Sequence, residues 1–307
     1  MRRRLAIAIT ICLFLCLCIA GFAGQHAWRG SSKATYLATF TWEDAGDLIT
    51  EEAFGGFSAL AVTDGGQRLI AISDTAHLVH AEIERENGRI LSVTADQAAD
   101  WIYSPAGSRL RGFKGDSEGI ALHPEGGFYI SYERITRVAF HKEPSANSVI
   151  LPRPLAFEKL PRNNSLEALA IDAQCRLYTF PEDARDAEGN IPVYRWDGTE
   201  WSQPFALPKR GFFSVVSAEV GPDGRLYVLE RRFRMIGFQS RLRRWDLTDD
   251  GVSNEKVLFK SWVGGHDNLE GLSVWRKAEG QLIATLISDD NFLSVQKTEL
   301  VEYALPN

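Results

Sequence analysis

A chain of 307 residues with 45% hydrophobic side chains can form one large all-β domain or two ordinary ones, with enough apolar residues for a substantial core. The formal charge is −6, and residues 1–24 hold arginines but no acid, so the remainder is more acidic still. That balance excludes the basic footprint of a general nucleic-acid binder, and with three of the four cysteines in the same N-terminal stretch, Cys175 has no partner for an internal disulfide.

Arg2, Arg3 and Arg4 precede an apolar run from Leu5 to Ala20 and then small residues up to Gly24. This order reads as a secretory signal over 1–24, or as an uncleaved anchor barely long enough to span a bilayer. Either places the body outside the cytoplasm, periplasmic or secreted, and a membrane contact is expected only if the segment is uncleaved. Residues 25–34 read as a polar spacer, and 35–307 as a single domain.

Within that domain, Tyr36–Trp42 reads as a strand of β-branched and aromatic residues. A first unit follows: Phe57–Val62, Arg68–Asp74, His77–Glu84 and Ile90–Thr94, the last two joined through Asn87-Gly88. After a loop over 98–115, Ser117–Leu122 and Phe128–Glu133 repeat the plan, with Thr136–His141 and Val149–Glu158 as outer strands. The third unit runs Leu166–Ile171, Leu177–Glu182, Val193–Trp196 and Trp201–Leu207, and the fourth Val216–Val220, Leu226–Glu230, Arg241–Leu247 and Lys256–Trp262. The fifth supplies only three strands: Leu269–Val274, Leu282–Asp289 and Leu300–Leu305.

Five similar units at a period of fifty to sixty residues indicate an array of sheets. The three-strand end and the orphan first strand are complementary, so the expected fold is a five-bladed β-propeller closed by pairing the two termini, which leaves no open edge at the seam. Six blades is the alternative, if 74–118 hides a further sheet.

In an antiparallel hairpin the start of the first strand and the end of the second lie at one rim. Glu118 opens and Glu133 closes one hairpin, Glu167 and Glu182 another, and Glu270 with Asp289 and Asp290 a third; Asp74 and Glu230 close the hairpins opened by Ser58 and Val216. Nine carboxylates then converge on one mouth of the axial channel, where they cannot all stay ionised without compensation. Oxygen-only ligands suit a hard cation, calcium first and magnesium second. Glu118, Glu167 and Glu270 are the expected catalytic groups, with Glu133, Glu182, Glu230, Asp74, Asp289 and Asp290 as metal ligands. Arg134, Arg231 and Arg232 follow the closing acids and would hold the anion of a small anionic ester. The competing reading is a non-enzymatic extracytoplasmic propeller that binds a ligand or protein partner, with the carboxylates structural. No Gly-x-Ser-x-Gly elbow, His-Glu-x-x-His pair or phosphate-binding glycine loop is present.

The strings Ser117-Glu118-Gly119-Ile120, Leu166-Glu167-Ala168-Leu169, Leu229-Glu230-Arg231-Arg232-Phe233, Asp267-Asn268-Leu269-Glu270-Gly271-Leu272 and Ser288-Asp289-Asp290-Asn291-Phe292 resemble the phytase-like family, described as "esterase-like activity of phytase". The likeness runs from about Phe54 to Leu305 and implies a propeller-type array with Glu and Asp in hydrolytic work. Val216 departs from the pattern, standing at the opening position where three other units carry Glu.

Overall fold

The computed structural model describes residues 33–306, so the expectations for residues 1–24 and most of the spacer lie outside the described part. Twenty-one strands form five antiparallel sheets. β1 (Thr35–Thr41) opens the chain. Blade one is β2 (Phe57–Thr63), β3 (Arg68–Ser73), β4 (His77–Glu86) and β5 (Arg89–Ala95), with β6 (Asp100–Trp101) added beside β4. Blade two is β7 (Ser117–Leu122), β8 (Phe128–Tyr132), β9 (Arg137–His141) and β10 (Val149–Ile150). Blade three is β11 (Leu166–Ile171), β12 (Leu177–Pro181), β13 (Ile191–Trp196) and β14 (Trp201–Leu207). Blade four is β15 (Ser214–Val220), β16 (Arg225–Arg234), β17 (Gly237–Thr248) and β18 (Gly251–Lys260). Blade five is β19 (Leu269–Arg276), β20 (Leu282–Ser288) and β21 (Glu299–Ala304), and β1 pairs with β21 as its fourth strand.

The five blades make a ring because each buries both faces against a neighbour. Five apolar clusters fill the five gaps: Ile72 and Ile130 between blades one and two, Val138 and Leu169 between two and three, Phe180 and Val228 between three and four, Leu242 and Leu286 between four and five, and Phe57 and Ile283 where five meets one. Near the closing seam Trp42 stacks on Phe57 with ring centroids 5.4 Å apart. The fold is thus the expected five-bladed propeller, and the segment 74–118 contributes β6 to blade one instead of a sixth sheet.

One outer strand falls short of its expected length. Pairing in β10 stops at Ile150, and Leu155–Glu158 forms a single helical turn. Pro152 and Pro154 lack the N–H donors a ladder needs, which ends the strand.

β2, β7, β11, β15 and β19 are the innermost strands and together line a cavity of about 130 Å³ on the axis. Each carries a register shift at its first residues, between Phe57 and Ala59, Ser117 and Gly119, Leu166 and Ala168, Val215 and Ser217, and Leu269 and Gly271. The residue left over in each bulge is Ser58, Glu118, Glu167, Val216 or Glu270, and a bulge re-aims the side chain that it leaves unpaired. Small residues follow because the blades approach closely there. A Cβ on Gly119 would stand 2.9 Å from the Glu167 carbonyl oxygen, and one on Gly271 would stand 2.8 Å from Leu60 Cδ2 of blade one.

Candidate metal and active site

The mouth of the channel is built from two rings of five positions. The inner ring is the bulge residues. The outer ring is Asp74, Glu133, Glu182 and Asp289, each the residue after the last partner in its second strand, and Arg231 at the equivalent place in blade four. Four of them donate their backbone N–H to the segment just before the inner strand, Asp74 to Gly56 (2.9 Å), Glu133 to Asp116 (3.0 Å), Glu182 to Ser165 (2.9 Å) and Asp289 to Asn268 (2.9 Å). In blade four the same place is held by Arg231, paired with Ser214 in the ladder. Serine hydroxyls tie neighbouring blades at this level: Ser117 Oγ donates to the Ser73 carbonyl and Ser165 Oγ to the Glu133 carbonyl, each at 2.6 Å.

These rings bring carboxylates into two groups that share a member. Single oxygens of Asp116, Glu118 and Glu133 lie within 4.8 Å of one another, and so do those of Glu133, Glu167 and Glu182. Asn164 braces this pair of groups, its backbone N–H donating to Glu133 and its side-chain amide to Glu182. Burial, then Glu167, Glu270, Asp116 and Glu133, pushes the Glu118 carboxyl well above the usual range. Glu167 is pushed up likewise, by burial and then Glu182, Glu270 and Glu133. Glu133 and Glu182 are raised too, burial again being the largest cause.

Across the mouth, Asn268 donates to Glu270 Oε1 at 2.9 Å and to Asp289 Oδ2 at 3.2 Å. Arg231 donates to both Asn268 and Glu270 and lies 3.7 Å from Glu182. Burial alone would lower its guanidinium, but Glu270, Glu167, Glu182 and Asp289 together raise it. Asp289 is pushed up to about 8 by burial and by Glu270, and Asp74 to about 7 by burial and by Asp116, Glu270 and Asp290. Asp74 Oδ1 is buried with no hydrogen-bond partner among the described residues.

Of the residues singled out by sequence, Glu118, Glu133, Glu167, Glu182, Glu270, Asp74, Asp289 and Arg231 meet at this mouth. Asp290 borders it as a loop clamp, accepting from the Gly56 N–H (2.9 Å), the Phe292 N–H (3.0 Å) and Thr298 Oγ1 (3.1 Å). Arg134 stands at the rim, half its side chain exposed, with Nε 3.1 Å from Asp116. Glu230 and Arg232 belong elsewhere. Glu230 precedes the ring position by one residue and so faces the other side of blade four, where Arg241 Nε (2.6 Å) and Arg243 Nε (2.8 Å) hold its carboxylate. Arg232 turns to that side also, bonding Gln239 at 2.6 Å and lying 4.7 Å above the Phe213 ring. Sequence reasoning missed Asp116, Asn164 and Asn268; the usable signal was position, since Asp116 and Asn268 each stand two residues before an opening glutamate.

Half-buried carboxylates that no protein donor reaches fit a hard cation. Among the described residues no hydrogen bond reaches the Glu118 or Glu167 carboxylate, and two oxygen-only groups sharing Glu133 match the ligand chemistry of calcium or magnesium. Toward the far end the axial cavity is lined by Leu60, Ile120, Leu169 and Leu272 together with Ser273 and Glu219; burial pushes Glu219 up to about 8, and it accepts the Val274 N–H.

No curated protein matches the chain in sequence. Among solved structures, an α-L-arabinofuranosidase from Podospora anserina is similar at a TM-score of 0.54 and 12% identity, over 90% of this chain and 97% of that one. Hydrazine synthase from Kuenenia stuttgartiensis reaches 0.42 at 13% identity, over 82% of this chain and 60% of that one, so the chain spans well under the full length of that relative. A gluconolactonase from Xanthomonas campestris reaches 0.48 at 11% identity, over 91% and 96%. At such identities the likeness concerns the fold alone. The family pattern described as "Esterase-like activity of phytase" matches residues 52–292, most of the chain and all of the mouth. The chain therefore belongs to the phytase-like family.

Proposed function

We propose that the protein is an extracytoplasmic hydrolase of a small anionic ester, a phosphate ester foremost, that works with a divalent cation held at the mouth. The observation that carries this reading is the pair of carboxylate groups joined through Glu133. Asp116, Glu118, Glu133, Glu167 and Glu182 would hold calcium, or magnesium in its place. When bound, the cation would polarise the ester and lower the pKa of a water.

The chain's own groups divide the remaining work. Arg231 is fixed by Glu270 and Asn268 and is the cation facing the mouth, while Arg134 at the rim can leave Asp116 for an incoming anion. Asp74, at about 7 and with one oxygen unpartnered, is suited to exchange a proton with the reacting oxygen near neutral pH. Glu270 orients Arg231 and adds to the field that sets Asp74 and Asp289.

The test is a panel of phosphomonoesters, phosphodiesters and lactones assayed with calcium, with magnesium and with chelator. Turnover that chelator abolishes, and that Glu118→Gln and Glu133→Gln each reduce by about 100-fold or more, is the expected result. Folded, calcium-loaded protein that turns over none of them would overturn it and favour the binding propeller.

A further inference from the structure

The two ends of the propeller differ in what their loops expose. Turns on the far face, such as 64–67, 123–127, 172–176 and 221–224, are polar and glycine-rich, and among the described residues none exposes a large apolar side chain. Mouth-side connections expose Leu48, Phe113, Leu155, Phe212, Phe292 and Val295. The other exposed large hydrophobics, apart from Leu293, Trp262 and the hairpin described next, lie on outer strands β1, β5, β10 and β18.

Blade four carries the most prominent of these surfaces. β16 pairs with β15 only as far as Arg231, then continues with β17 to Arg234 and turns through Met235 and Ile236 beyond the level of the mouth. Phe233, Ile236 and Met235 are 66%, 74% and 96% exposed, and nearby Phe212 is 87% exposed. Lys209 and Arg210 precede Phe212, and Arg232 and Arg234 bracket Phe233; no acid occurs within 208–213 or 231–238 of an otherwise acidic chain.

The cations crowd one another. Arg232, Arg241 and Lys260 lie 4.7, 4.2 and 5.6 Å from the centre of the Phe213 ring. Burial, then the neighbouring arginines Arg234 and Arg241, lowers Arg232, and Lys260 is lowered by burial and the same neighbours. Glu230 is bonded to Arg241 through the arginine Nε, and among the described residues no acid pairs with Arg232 or Arg234. The charge of Arg232 and Arg234 is therefore left for something outside the fold. A soluble anion would answer the cations but not four protruding apolar side chains. A layer of phosphates above hydrocarbon answers both.

We propose that the mouth face docks on an anionic lipid surface, with Phe212, Phe233, Met235 and Ile236 entering the interface while Arg232 and Arg234 lie among the headgroup phosphates. This goes beyond the hydrolase reading and does not rest on it, since docking is read without turnover.

The test uses the full chain with vesicles of phosphatidylcholine alone or mixed with phosphatidylglycerol. Because residues 1–24 are common to every variant, the tip is read locally, as the extra tryptophan fluorescence that brominated phosphatidylglycerol quenches in Met235→Trp relative to the unsubstituted protein. Extra quenching is expected on mixed vesicles and not on neutral ones. The double change Met235→Ser, Ile236→Ser should weaken partition into mixed vesicles roughly tenfold, and Arg234→Glu should weaken it by a similar factor and flatten its salt dependence. Absence of extra quenching, or equal quenching on neutral vesicles, would overturn the proposal. So would inorganic phosphate binding at Arg234 without vesicle binding, which would assign the site to a soluble anion. Dimerisation abolished by the same double change, without vesicle binding, would assign the tip to a second copy of the chain.

Discussion

Blade four and the channel mouth treat buried carboxylates in opposite ways. Glu230 has no exposure at all, and two guanidiniums bond its oxygens from Arg241 and Arg243. Glu118 and Glu167 are inward-facing too, yet they are surrounded by further acids. The same residue type, at the same end of the same kind of hairpin, is neutralised inside the fold in one place and left uncompensated in the other. Charge that the chain does not balance is charge available to a ligand, and this difference separates a structural ion pair from a candidate site.

Breaking the satisfied side should have the largest effect. Arg243→Met removes one partner of Glu230 together with the hydrogen bond to the Pro208 carbonyl at 2.9 Å. Stripping a buried acid of its partner costs about 3–5 kcal/mol, though Arg241 remains, so a loss near the lower end is expected in urea denaturation. A loss below about 1 kcal/mol would mean that the pair contributes no more than an exposed one.

The contrast also explains what could be read from sequence. The fivefold repeat, the terminal closure and the opening glutamates were legible because strand alternation, turn residues and a constant period carry them. Glu230 was misplaced by the rule that the acid ending an apolar run marks the rim. In blade four the paired strand runs three residues past the mouth, to Arg234, so the run has no clear end. The step from Glu118 to Glu133 and from Glu167 to Glu182, applied to Val216, lands on Arg231, and the spacing was the better guide. Asn164 was not legible, because loop geometry and not periodicity brings it to the glutamates. Val216 is buried between blades four and five, so that blade uses its bulge for packing and supplies a cation to the mouth instead.

Loading the unsatisfied side comes next in size. Calcium at a hundredfold excess over its dissociation constant should stabilise the protein by about 2.7 kcal/mol, raising the thermal midpoint, and Glu133→Gln should abolish the gain because both carboxylate groups share that residue. Calcium that leaves the midpoint unmoved would remove the cation from the site.

Proton and metal should compete over a defined window. Asp74 and Asp289 have folded values of about 7 and about 8 against an ordinary 3.8, so the folded state binds more protons than the unfolded one between those values. Stability of the metal-free protein should therefore fall as pH rises from about 4 to 8, by roughly 1–2 kcal/mol once solvent at the open mouth is allowed for. Calcium should bind more tightly over the same rise and flatten the slope. A metal-free protein more stable at pH 8 than at pH 5 would show that these acids are compensated from within the fold.

The smallest effect on stability should come from the residue most central to the proposed site. Glu118 is held well above the usual carboxylate range by burial and by its acidic neighbours, so without metal the site favours its neutral form. Glu118→Gln puts a neutral amide of the same shape where the site favours a neutral carboxyl and should shift the metal-free unfolding free energy by less than about 0.5 kcal/mol. The same change removes an anionic oxygen once a cation is bound, so calcium affinity should drop roughly tenfold or more while the fold is untouched. A large loss of stability without metal would place Glu118 with Glu230, as a side chain that the fold uses for itself.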